Sequence, residues 1–159
     1  VFKYAQANGL PLTVHAGEWN GASNVRQAIE VLGATRVAHG VRVMEDLAVV
    51  ELARERHTVF EVCVTSNFQS GVIRELSQHP LPRMLKAGLD VTINTDDPGI
   101  SQITLSDEYA LAVEEFGFST NVLAGCVVSA ARAAFLPADA RDVLVSSIQQ
   151  KMAGCLQKI

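Results

Sequence analysis

Four times within the first hundred residues, a short apolar run rich in β-branched side chains alternates with a longer stretch at helical spacing. That alternation restricts the fold more than any other feature of the chain. The runs occupy residues 12–16 (LTVHA), 36–39 (RVAH), 59–65 (VFEVCVT) and 91–95 (VTINT). Between them the spacing predicts helices over 24–32, 45–56 and 81–87. Ser23 is the expected N-cap of the first of these and Gly33 its stop. A helix over 1–7, ended by Asn8-Gly9, precedes them. Beyond residue 95 the pattern changes to three successive helices, 105–116, 121–135 and 138–157, the last opened by Pro137. No repeat or linker interrupts the chain, so residues 1–159 read as one domain.

Strands alternating with helices lie parallel, joined by helical crossovers. Two architectures fit: an open doubly wound sheet, or part of a (β/α)8 TIM-type barrel. A whole barrel takes about 250 residues, which 159 cannot supply. The polar residues favour the barrel. Alternation along a strand puts Thr13 and His15 on one face, and Thr92, Asn94 and Asp96 on one face of the fourth run. His39-Gly40 closes the second run. Three strands would thus deliver His, His and Asp to one rim, where a barrel carries its chemistry. The segment His15 to Gly21 lacks the GxGxxG spacing of a dinucleotide-binding doubly wound sheet.

Composition narrows the partners. The net charge is -4 with no basic run, which argues against nucleic acid and for a small molecule. No apolar stretch is long enough to span a bilayer, so a cytoplasmic protein without a membrane partner is expected. Cys63, Cys126 and Cys155 form no CxxC pair, so no thiolate metal site is expected and reduced thiols are the default.

Imidazole and carboxylate ligands with an open position let a divalent metal lower the pKa of water toward about 7. A partly buried carboxylic acid can then protonate a substrate. His15 and Asp96 are candidate ligands, Glu18 the candidate acid, and His39 a base or an orienting group.

Thr13-Val-His-Ala-Gly-Glu18, His39-Gly40, Cys63-Val-Thr-Ser-Asn67 and Asn94-Thr-Asp-Asp-Pro98, in this order, resemble the C-terminal motifs of adenosine deaminases. The resemblance implies the last four strands of the barrel with C-terminal helices, one zinc ion per site, and hydrolysis of adenosine to inosine and ammonia. It implies His15 and Asp96 as zinc ligands, and Glu18 as proton donor to purine N1. His39 would orient or deprotonate the attacking water, and Asp97 would hydrogen-bond the far edge of the purine at N7. The family takes further ligands from a His-x-His that does not occur in these 159 residues. The ligand set is therefore expected to be incomplete, the chain alone inactive, and its open strand edges prone to association. Adenine or an N6-substituted adenine nucleotide is the alternative substrate, and a non-catalytic purine-binding module the alternative class. A cytidine-deaminase type is disfavoured because its cysteine ligand pair is missing.

Glu61 and Cys63 are expected to be structural, His57 exposed, and His79 part of an extended turn before Pro80. Cys126 and Cys155 are expected in helix packing, and Leu144, Ile148 and Met152 on one apolar stripe.

Overall fold

The computed structural model describes residues 1–156, with the backbone alone at 155 and 156. In chain order the elements are α1 (Phe2–Ala7), β1 (Thr13–Ala16), α2 (Ala22–Glu30), β2 (Arg36–His39), a 3₁₀ turn (Val41–Glu45) and α3 (Leu47–Glu55). Next come β3 (Val59–Val62), α4 (Val64–Gln69), a second 3₁₀ turn (Leu76–Gln78), α5 (Leu81–Lys86) and β4 (Asp90–Ile93). The chain then runs through α6 (Pro98–Ser101), α7 (Leu105–Phe116), α8 (Thr120–Ala133) and α9 (Ala138–Leu156).

The four strands are parallel and lie in the order β1-β2-β3-β4. A doubly wound sheet reverses direction at a switch point so that helices cover both faces. Here each strand sits beside its predecessor, as in a barrel wall. Outward-facing Val37, Phe60, Val62, Val91 and Ile93 form the core with Val25, Ile29, Val49 and Met84 of the helices, and all of these are buried. The other face carries Thr13, Arg36 and Glu61. Thr13 Oγ1 donates to Glu61 Oε2 at 2.6 Å, and Arg36 Nε lies 3.1 Å from Glu61 Oε1. This polar layer closes the floor of the inner face, with Phe135 stacked 3.5 Å from the Arg36 guanidinium.

Several boundaries differ from expectation. Gly21, not Ser23, caps α2, and Ser23 lies within its first turn. The third strand stops at Val62 instead of Thr65, and α4 follows at once. The helix expected from residue 45 splits into a 3₁₀ turn and α3, because Asp46 accepts from Ala48 N–H and caps the latter. β4 ends at Ile93, so alternation does not orient Asp96. Of the helix expected over 138–157, Gln157 lies outside the described residues, as does the Cys155 side chain.

Candidate active site

His15 projects from β1 on the inner face with Thr13 and is exposed there. Directly after β1 the chain reverses at Gly17, whose φ is +65° and whose missing Cβ leaves room for Val25. The turn brings Glu18 back over the strand ends, its side chain 18% exposed.

His39 reaches the same place by another route. It pairs in register with Ala16, so regular alternation would send it to the helix-covered face with Val37. Its backbone is left-handed instead, with φ 61°. Gly40 follows with φ 61° and packs so closely on Phe60 that any Cβ would collide with that ring. The His39 ring is buried with its centroid 5.1 Å from that of His15. Asp96, also left-handed at φ 60°, turns back after β4. Two such conformations outside glycine each cost about 1–2 kcal/mol, and strain of this kind gathers at functional sites.

The result is one cluster. His39 Nε2 lies 3.6 Å from Glu18 Oε2 and 3.9 Å from Asp96 Oδ2. Donor atoms of His15, Glu18 and His39 all fall within 4.8 Å of one another. Burial holds the His39 imidazole below its ordinary value, outweighing the upward pull of Glu18 and Asp96. It is therefore neutral near pH 7. The cluster opens on a cavity of about 770 Å³ lined also by Cys63, Asn94, Leu105, Tyr109 and Val127.

A supporting shell stands behind these groups. Ser66 Oγ donates to Asp96 Oδ2 at 2.7 Å, and Asn67 Nδ2 lies 3.1 Å from His39 Nδ1. Both belong to α4, whose N-terminal amides at Val64 and Thr65 donate to the fully buried Glu108 carboxylate at 3.1 and 3.0 Å. A carboxylate at the positive end of a helix satisfies amides that would otherwise be orphaned.

Of the residues singled out in the sequence, His15, Glu18, His39 and Asp96 come together. Asp97 does not join them; it is exposed and caps α6, accepting from Ile100 N–H at 3.3 Å. His57 is exposed and Cys126 is buried, as expected. Glu61 and Cys63 sit below the cluster on the inner face. Sequence reasoning missed Ser66, Asn67, His79 and Glu108. Only Asn67 and Ser66 carried a local signal, through the Thr-Ser-Asn that follows the third strand.

Residues 1–151 match the family model described as Adenosine deaminase. The chain belongs to the adenosine deaminase family. An adenine deaminase from Rhizobium leguminosarum is 40% identical over 147 residues, covering 92% of this chain and 46% of the relative. An adenosine deaminase from Escherichia coli is 37% identical over 150 residues, covering 94% and 45%. An amidohydrolase from Burkholderia ambifaria, solved with bound Zn, superposes with a TM-score of 0.91 at 25% identity, covering 99% of this chain and 44% of that one. The chain thus spans a little under half the length of these relatives. Its four-stranded sheet is a partial (β/α)8 barrel with C-terminal helices.

Within the family frame, the imidazole and carboxylate donors at the strand ends fit a divalent ion of the zinc type. The fit rests on donor chemistry, with His15 supplying an imidazole and Asp96 a carboxylate to the cluster that Glu18 and His39 complete.

Proposed function

We propose that this segment supplies the proton-donating and ligand-completing side of a zinc-dependent hydrolase that converts adenosine and water to inosine and ammonia. The observation that supports it best is the gathering of Glu18, His39, His15 and Asp96 at one mouth of the sheet, from three separate strand ends. His15 and Asp96 would hold the ion, which when bound supplies Lewis acidity and lowers the pKa of water.

Glu18 would donate its proton to purine N1, which draws electrons from C6 and readies it for addition. Its place in the turn after β1, beside His39, suits that role. His39, neutral and 3.6 Å from Glu18, would orient the attacking oxygen toward C6. Water's oxygen then bonds to C6 as its two protons pass into the site, one restoring Glu18 and one joining the amine, and the C6–N bond breaks to release ammonia. Asp97, whose Oδ1 caps α6 at an exposed turn, would meet purine N7 with its second carboxyl oxygen.

Glu18→Gln keeps the shape and removes the acid. In the full-length enzyme it is expected to lower kcat in ammonia release from adenosine by about 10²–10⁴-fold with KM little changed. Unchanged turnover by this variant would sink the assignment of Glu18. Adenine is the specific rival, because relatives acting on each name match this chain at similar identity. Turnover of adenosine, adenine and an N6-substituted adenine nucleotide, compared as kcat/KM, separates them.

A further inference from the structure

Asn67 and His79 are buried behind His39, at 0% and 3% exposure, and no step above uses them. Their hydrogen bonds run in one direction. The amide N–H of Leu81 points at His79 Nδ1 at 3.1 Å. A backbone N–H can only donate, so Nδ1 accepts and the ring proton of His79 sits on Nε2. That nitrogen lies 3.3 Å from Asn67 Oδ1. With its oxygen committed to accepting from His79, the Asn67 amide turns its Nδ2 toward His39, 3.1 Å from Nδ1. An amide NH₂ only donates, so His39 Nδ1 accepts in turn. The one remaining place for the His39 proton is Nε2, the nitrogen that faces Glu18 and Asp96.

We propose that Asn67 and His79 are positioning residues, forming a relay anchored on the Leu81 amide that fixes His39 as its Nε2–H tautomer. The consequence is chemical. His15, Glu18 and His39 cluster as three metal ligands would. Yet His39 has no free lone pair for an ion, since Nδ1 is taken by Asn67 and Nε2 carries hydrogen. The ring is a hydrogen-bond donor into the pocket, and of the two roles open to it, orienting an oxygen or abstracting a proton, the relay selects orientation. This use of the relay rests on the deaminase reading, whereas the tautomer itself is measured without substrate or metal.

Long-range ¹H–¹⁵N correlation of the imidazole rings in metal-free, ¹⁵N-labelled protein near neutral pH reads the tautomers directly. Both His39 and His79 are expected to show protonated Nε2 and bare Nδ1. Asn67→Asp replaces the donor by a group that only accepts, and should move the His39 proton to Nδ1 while His79 keeps its pattern. His79→Gln retains an NH₂ to donate to Asn67 and should preserve the wild-type tautomer at His39. In the full-length enzyme, Asn67→Asp should reduce kcat about 100-fold with KM within about threefold. A protonated Nδ1 at His39 in the unaltered protein, or a folded Asn67→Asp variant that keeps Nε2–H, would overturn the relay. The first of these needs no variant, so a substitution that fails to fold leaves the test intact. Expected spectra in a protein that deaminates none of the purines would uphold the relay and remove the functional reading instead.

Discussion

Near the pocket, desolvation governs which side chains carry charge. Burial lowers the His79 pKa from 6.5 to about 4. The unfolded chain binds a proton as pH falls through about 6.5, while the native ring resists until about 4. The unfolded state thus holds more protons in that window, and stability is lost progressively as pH drops across it. The full loss is on the order of 3 kcal/mol. Urea midpoints measured from pH 7 to 4 should therefore fall more steeply for wild type than for His79→Gln, and parallel curves would contradict this. Thiols respond to the same burial in the other direction. Cys63 is pushed up to about 12, by burial first and then by the nearby Asp96, Glu108 and Glu61 carboxylates, and burial raises Cys126 to about 11. Since the thiolate is the reactive form, neither should be alkylated in native protein at neutral pH, yet both should react once it is unfolded. Peptide mapping after iodoacetamide treatment checks this.

Among the elements, α4 does most to assemble the site and was the least visible in the sequence. Cys63-Val-Thr continues the β-branched run of the third strand, and local propensity reads it as strand. The chain bends into a helix there because Glu108, 44 and 43 residues further on, receives the amides of Val64 and Thr65. Propensity yields to a tertiary bond of this strength, and the helix then carries Ser66 to Asp96 and Asn67 to His39. Glu108→Ala leaves both amides without their acceptor, the Val64 one buried, and should cost about 3 kcal/mol in chemical denaturation. It should also speed amide exchange across residues 64–69. Denaturation and exchange that match wild type would show that α4 stands without its carboxylate. The same gap between local and distant information explains β2. Its end at His39-Gly40 was readable, but the left-handed backbone that swings His39 out of the helix-facing row, beside a Gly40 packed on Phe60, is visible only in the fold.

At the scale of the molecule, β1 and β4 each keep one edge without a strand partner among the described residues. α8 packs against β4, while Thr13 and His15 of β1 are exposed. Unpaired strand edges recruit other chains, so the 159-residue segment produced alone should associate through β1. Light scattering on a size-exclusion column would report a monomer if this is wrong.

What the amino-acid order settled by itself was everything encoded within a few neighbouring residues. The alternation of runs set the parallel α/β architecture, and the polar ends of those runs marked His15, Glu18, His39 and Asp96. Tertiary structure decided what depends on distant partners. The order β1-β2-β3-β4 excluded the doubly wound sheet, and the fold brought Glu108 to α4. It also buried His79, which the sequence presented as a turn residue, against Asn67, 12 positions away, and Asn67 against His39 across 28. The physical reason is one of range. Hydrophobic period and turn chemistry act over a few residues, whereas the direction of a buried hydrogen bond exists only once chain-distant groups have lost their water and must satisfy one another.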